Sequence, residues 1–318
     1  MKAVTIHSLG QANPLVDVPT PAVPADSVLI KVHATAVNNV DLAWATGKRK
    51  KDDTILGLEV SGEVVESNSA VKVGQRVAAF VVGGAYAEFV SVPANRVIPL
   101  PETVSYSKGA CIPVSYLTAY QSLFWLGQLQ DHQTVLIHGG AGGVGSAATQ
   151  LAKALKDVTV ITTSSAAKTQ ACKENGADYA IDYEHQDFEA EVDQITDHQG
   201  VDLIIDFIGA SYFQRNLNAL HTDGHIVIIG TLGGEIVDQF NLRYIMVKRA
   251  TVTGSMLMPR SEEYKAKLTT EFAQKTAQLF ADGKLDPVVS GAFDLPDALA
   301  AQKFMHDKQN VGKIVLKV

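Results

Sequence analysis

Two groups of residues in this chain have types and spacing that suit chemistry. The first is the glycine cluster in "HGGAGGVGSAATQLAK", which reads Gly140-x-Gly142-x-x-Gly145 directly after the apolar run Thr134–Ile137. Such a loop brings backbone N–H groups close to a pyrophosphate, and Gly143 and Val144 open a helix whose N-terminus favours the anion. The second group ends the next strand-like run, "TVITTSSAAK": Thr162, Thr163, Ser164 and Ser165, with Lys168 one helical turn on. NAD sites usually place an Asp or Glu here, about 20 residues past the loop. A carboxylate repels a 2′-phosphate, whereas hydroxyls and an ammonium hold one, so the expected cofactor is NADPH. Ser164 or Ser165 also suits the cap of the following helix.

These residues need elements to position them, and the chain has two textures. Up to about Pro101 it runs in short β-like stretches, among them "SVLIKVHATAV", "LEVSGEVVES", "QRVAAFV" and "AYAEFVSV", punctuated by Gly, Pro and Asn as in a barrel or sandwich. From Thr134 strands alternate with helices: "TVLIHGG", a helix from Gly143, "TVITT", a helix from Ala166 to Asn175, "YAIDY", "VDLIIDFIG", a helix, "HIVIIG" and "ATVTGSM". Near-continuous apolar strands in that alternation predict a doubly wound parallel sheet covered on both faces. Val144, Ala147, Ala148, Leu151, Ala152 and Leu155 form one buried helical face behind the glycine loop. The segment from Ser107 to Gly127 reads as helical, with Pro113 limiting its first part, and a further helix is expected from Ser261 to Asp282. The last run, "GKIVLKV", needs a strand partner, and the N-terminal β region is the natural one. The α/β domain is therefore expected to interrupt the first domain, with a first part at 1–118, a cofactor-binding domain at 119–256 and a C-terminal part at 257–318.

Composition excludes several other classes. The chain has 318 residues, 46% hydrophobic and 19% charged, with a formal charge of −7, which disfavours a general nucleic-acid surface. The one basic cluster, "GKRKK", is followed at once by Asp52 and Asp53 and reads as a solvated loop. Cys111 and Cys172 are too few for a disulfide scaffold or a four-cysteine zinc site, and the nine histidines show no ligand-like spacing. His138 reads as a packed or turn histidine. No apolar run approaches the ~18 residues of a membrane span and no signal-like h-region opens the chain, so a cytosolic protein is expected.

The sequence resembles the zinc-free quinone oxidoreductase (zeta-crystallin-like) branch of the medium-chain dehydrogenase/reductase superfamily. The resemblance spans nearly the whole chain and rests on "AVNNVDL", "LGLEVSGEV", "GGAYAEFVSVP", "LTAYQSL", "HGGAGGVGSAATQLAK", "NGADYAIDY", "VDLIIDFIG" and "NVGKIVL". It implies a GroES-like β-barrel catalytic domain interrupted by a doubly wound Rossmann domain. It also implies a nicotinamide in the cleft between them and a homodimer formed through "ATVTGSM". Asn38 and Asp41 match the family's Asn-x-x-Asp motif beside the nicotinamide and substrate. Thr118 matches a position near the nicotinamide, and Ser164, Lys168 and Tyr183 match contacts to the 2′-phosphate or adenosine ribose. Gly230, Gly233 and Gly234 fall in the loop lining the nicotinamide, and Gly312 and Lys313 in the C-terminal segment that approaches the cofactor. Zinc-dependent members carry Gly-His-Glu where this chain has Gly57-Leu58-Glu59, so no metal is expected. Relatives often have a Tyr in the loop after Gly47, where this chain has Arg49, a candidate at the substrate.

Without a metal, the acceptor must take hydride readily, as a quinone or an α,β-unsaturated carbonyl does by delocalising charge onto oxygen. The protein then supplies chiefly orientation and exclusion of water. The expected activity is NADPH-dependent reduction of quinones or enones and enals. The alternatives are an alkenal double-bond reductase with little quinone activity and a non-catalytic NADPH-binding redox sensor. Neither membrane nor nucleic acid is expected as a partner.

Overall fold

A computed structural model of the chain describes residues 1–45 and 54–318. Seven strands come first: β1 (Lys2–Val4), β2 (Leu15–Asp17), β3 (Ser27–Ala36), β4 (Glu59–Ser67), β5 (Arg76–Phe80), β6 (Phe89–Pro93) and β7 (Val97–Pro99). Six follow in the α/β region: β8 (Thr134–Ile137), β9 (Thr159–Ser164), β10 (Tyr179–Asp182), β11 (Val201–Asp206), β12 (Leu220–Ile228) and β13 (Thr251–Gly254). The last two are β14 (Val289–Asp294) and β15 (Lys313–Lys317). The chain divides into two compact units, Met1–Leu117 with Arg260–Val318, and Thr118–Pro259.

In the first unit a sheet runs β14-β15-β3-β4-β5-β7, with β6 also paired to β3. Gly62 lets β3 and β4 come together, since a Cβ there would overlap the Lys31 carbonyl of the facing strand. Val28, Ile30, Val32, Val60, Val64, Val77 and Val92 fill the interior, which is why these strands are so rich in β-branched residues. β15 pairs antiparallel with β3, and β14 pairs parallel with β15. The C-terminal strand thus finds its partner in the N-terminal β region. The long helix Glu262–Ala281 begins where Ser261 Oγ accepts the Tyr264 N–H at 3.2 Å.

In the second unit six parallel strands run β10-β9-β8-β11-β12-β13. In chain order that is 3-2-1-4-5-6, the doubly wound arrangement in which the crossover point lies beside the first strand. Val135, Leu136 and Ile137 of β8 and Ile204 and Ile205 of β11 have no solvent exposure, as central strands covered on both faces require. The helix Gly143–Leu155 packs through Ala147, Ala148, Leu151 and Ala152, while Val144 and Leu155 are only half-buried. The helical segment from Tyr106 is broken into Tyr106–Gly109, Pro113–Tyr120 and a π-helical stretch, Gln121–Leu126; the last three residues of the second helix and the π-helical stretch belong with this unit. Past β9 the chain makes a 3₁₀ turn, Ala166–Lys168, before the helix Thr169–Glu174. Among the described residues no helix is long and apolar enough to cross a membrane.

Candidate functional site

In the second unit the glycine loop joins β8 to the helix Gly143–Leu155, and its three motif glycines have different reasons for lacking a side chain. A Cβ at Gly140 would lie 2.5 Å from Thr162 Cβ, so this glycine lets the loop pack on β9. A Cβ at Gly145 would overlap the Gly139 carbonyl, so it lets the helix pack on the loop. Gly142, the N-cap, has φ −78° and ψ 172°, open to any residue, and a Cβ there would meet only the Gly139 carbonyl oxygen at 3.3 Å. The free chain therefore has little need of glycine at 142. A ligand approaching the backbone does. No side chain caps this helix, so its first N–H groups remain available to an anion.

The end of β9 carries Thr162, Thr163 and Ser164, all buried, followed by half-buried Ser165 and Lys168. Parallel pairing of β10 with β9 brings Tyr183 alongside, its N–H donating to the Ser164 carbonyl at 3.1 Å while its ring stays exposed. The same pairing delivers a residue the sequence reading missed. Glu184 Oε2 accepts the Ala166 N–H at 3.2 Å, so a carboxylate does stand at the end of β9. It comes from the turn just past the neighbouring strand β10, and only strand order, not distance along the chain, could have located it. Beneath the loop, His138 is fully buried, with Nδ1 3.0 Å from Thr163 Oγ1 and Nε2 2.7 Å from Asn216 Oδ1. Since the Asn216 oxygen can only accept, Nε2 carries the proton and Nδ1 accepts from Thr163. Burial lowers the His138 pKa to about 4, against the opposing effect of the hydrogen bond it donates to Asn216. Thr118 is buried, and the loop glycines are set by the turn over Phe207–Ala210. Gly230 would place a Cβ 3.0 Å from the Phe207 carbonyl, Gly233 would meet Ser211, and Gly234 has φ +120°.

In the first unit the ends of β3, β4 and β15 converge on Asn38. Its amide nitrogen donates to the Ala36 carbonyl at 3.2 Å and to Glu59 Oε1 at 3.0 Å, and its oxygen accepts from Lys313 Nζ at 2.6 Å. The β15–β3 register, with Val315 opposite Ala36, brings Lys313 across from this residue. Lys313 Nζ also donates to the Val37 carbonyl at 2.8 Å and pairs with Glu59 Oε1 at 2.8 Å, and both charged side chains are buried. Glu59 Oε2 accepts the Val114 N–H at 2.7 Å. Two of the expected site residues are engaged within the fold. Lys313, expected at the cofactor, donates to three protein acceptors. Asp41, expected to be catalytic, has no solvent exposure. Its carboxylate accepts from the backbone N–H of Asn38 at 2.8 Å and of Gly57 at 3.1 Å and from Tyr86 Oη at 3.3 Å, so it ties the helix Asn39–Ala45 to the strand β4 approach. Burial raises its pKa to about 7, against the Asn38 amide and the Lys313 charge. Gly312 has φ +75°, and a Cβ would overlap the Val288 carbonyl, which accounts for that glycine by local packing. Arg49 lies outside the described residues.

A doubly wound nucleotide-binding unit inserted into an antiparallel β unit defines a class, the two-domain dehydrogenases and reductases. Residues 24–102 match the alcohol dehydrogenase GroES-like domain and 143–274 the zinc-binding dehydrogenase family. A quinone oxidoreductase from Rattus norvegicus is 30% identical over 99% of this chain and 97% of its own length. A synaptic vesicle membrane protein VAT-1 homolog from Danio rerio is also 30% identical, over 93% of this chain, which spans 65% of that protein's length. A mycobacterial protein solved in complex with NADPH superposes with a TM-score of 0.87 at 29% identity, covering 100% of each chain. The chain belongs to the quinone oxidoreductase-like branch of the medium-chain dehydrogenase/reductase superfamily, with its GroES-like domain and Rossmann-type domain.

The zinc in the family's description does not fit the residues present. Buried Leu58 precedes Glu59, and the Lys313 ammonium already supplies the positive charge beside that carboxylate. Among the described residues the one cluster of three ligand-type side chains is Asp182, Glu184 and His185 at the end of β10, two of them exposed. A dinucleotide does fit, because the helix Gly143–Leu155 begins without a side-chain cap and leaves its first N–H groups to a pyrophosphate.

Proposed function

We propose that this chain is an NADPH-dependent, metal-independent reductase that delivers hydride to quinones or to α,β-unsaturated carbonyls. The observation that carries the reading is Gly142, where ordinary backbone angles and a single close contact, to the Gly139 carbonyl oxygen at 3.3 Å, favour ligand approach as the reason for glycine. When bound, NADPH supplies the hydride. The helix Gly143–Leu155 holds the pyrophosphate by its N-terminal amides, while Ser164, Ser165 and Lys168 take the 2′-phosphate and Tyr183 flanks the adenosine. Glu59 is paired to Lys313 and does not wait for a Lewis acid, which favours acceptors that stabilise incoming charge by conjugation. Asn38 contributes to ligand positioning from the first unit, Thr118 from the start of the second, and Gly230, Gly233 and Gly234 shape a loop. Arg49 is proposed near the substrate by resemblance alone. Two copies are proposed to pair through the edge strand β13 and the apolar side chains exposed around it, Leu242, Met246, Val247 and Met256. Sedimentation velocity tests that pairing.

Steady-state assays with NADPH against quinones, enones and enals, following nicotinamide absorbance, test the activity. Failure of every acceptor to raise NADPH oxidation above the enzyme-free rate overturns it, and tight NADPH binding without turnover would favour a sensor. Two substitutions test the 2′-phosphate reading by fluorescence titration. Lys168→Ala is expected to weaken NADPH binding roughly tenfold and leave NADH unchanged, by loss of a charged hydrogen bond. Glu184→Gln is expected to do the reverse. The Ala166 amide now held by Glu184 lies among the groups assigned to the phosphate, and removing the like charge should tighten NADPH about threefold. Equal shifts for both cofactors in either variant would remove that residue from 2′-phosphate recognition.

A further inference from the structure

Asn38 is pinned. Both hydrogens of its amide are donated, to the Ala36 carbonyl and to Glu59, and its oxygen accepts from Lys313. Turning the amide over would put its NH₂ against the Lys313 ammonium and its oxygen against a carbonyl and a carboxylate, so all three contacts would become repulsive. An amide nitrogen has only two hydrogens and a carbonyl oxygen has two lone pairs. One lone pair on the oxygen is therefore the side chain's remaining capacity.

We infer that Lys313 and Glu59 are positioning residues whose buried ion pair holds Asn38 in a single orientation, so that Asn38 reads a hydrogen-bond donor on its ligand. This rests on the proposed function for what that ligand is. An amide N–H or a hydroxyl of a reduced dinucleotide meets the requirement, and the carbonyl oxygen of a quinone or enone does not. Asn38 is thus an acceptor for the cofactor and gives no stabilisation to a developing oxyanion. Lys313, which resemblance places toward the cofactor, acts through Asn38. The arrangement is encoded in strand register: the asparagine follows the end of β3, the glutamate begins β4 and the lysine begins β15, each at the same end of the sheet.

The test compares the full-length protein with the double variant Glu59→Gln/Lys313→Met, which removes both charges together, because removing one leaves the other buried and unpaired. In protein labelled with ¹⁵N-asparagine, the Asn38 side-chain NH₂ signals, assigned by their loss in Asn38→Asp, are expected to exchange slowly with solvent. In the double variant they are expected to exchange at least tenfold faster while the melting temperature holds within about 5 °C. With NADPH and an accepted quinone or enone, kcat/KM is expected to fall at least tenfold in the double variant and to recover in part in Lys313→Arg, which restores the cation. Wild-type Asn38 signals exchanging as fast as those of exposed asparagines would overturn the inference without any variant. So would a folded double variant with unchanged exchange or unchanged kcat/KM. A wild-type protein that turns over no acceptor but shows a protected Asn38 amide would sink the reductase reading and leave the pinned amide standing.

Discussion

Gly142→Ala is expected to fold and melt as the wild type does and to lose NADPH affinity by at least tenfold, whereas Gly145→Ala is expected to lose both. At 142 the backbone is extended and the new methyl group meets one carbonyl oxygen at 3.3 Å, so stability should change by about 1 kcal/mol or less. At 145 the methyl group lands on the backbone of Gly139, which cannot yield without moving the loop that joins β8 to its helix. Such overpacking costs about 1–3 kcal/mol, and the distorted loop would no longer present its amides to a phosphate. Thermal melts beside NADPH fluorescence titrations separate the two cases. Wild-type affinity in Gly142→Ala would show that no ligand approaches the backbone there.

The second large effect is in the dependence of stability on pH. His138 is held neutral, with its pKa lowered to about 4, so the unfolded chain binds the extra proton below pH 6.5 and stability falls as the solution is acidified. Between pH 6.5 and 4.5 that loss is about 2 kcal/mol. Asp41 acts in the opposite direction. Its carboxyl is raised to about 7 in the fold, so the folded state keeps a proton that the unfolded chain has released, and stability falls as pH rises above about 4 toward 7. The two contributions are similar in size and nearly offset one another over this window. His138→Gln should unmask the Asp41 contribution: relative to wild type, the stability difference between pH 6.5 and pH 4.5 should shift by about 2 kcal/mol toward acid. Urea titrations at the two pH values measure it, and parallel profiles for variant and wild type would mean that His138 is not the proton acceptor that unfolding exposes.

Much of this fold is legible in the sequence because its signals are local. The glycine loop, the apolar parallel strands and the buried face of the helix behind the loop each depend on neighbours a few residues apart. The short helix Arg243–Lys248 and the strand β14 leave no such mark: the helix is six residues long with no buried side chain, and β14 is partly exposed and rich in small residues. The polar contacts were less legible still. Glu184 reaches Ala166 only because β10 lies beside β9, and the pairing of Glu59 with Lys313 joins residues from opposite ends of the chain. A residue's type announced that it could hold a charge, but only sheet order showed which charge it faced. Asp41 illustrates the same limit, since the spacing that matched a motif said nothing of its complete burial.

The β15 strand has a consequence for how the protein is made. It lies between β14 and β3 inside the first unit's sheet, and its partner β3 precedes it by the whole length of the inserted unit. A ribosome therefore releases every residue of the second unit before the first has the strands that complete it. The contiguous Thr118–Pro259 unit can close while synthesis continues, but the end of β3 at Ala34–Ala36 must wait for its β15 partner. Pairing across so long an intervening segment is entropically slow unless that segment has already become compact. The insertion thus sets an order of assembly, in which the nucleotide-binding unit forms early and the Asn38 anchor forms last.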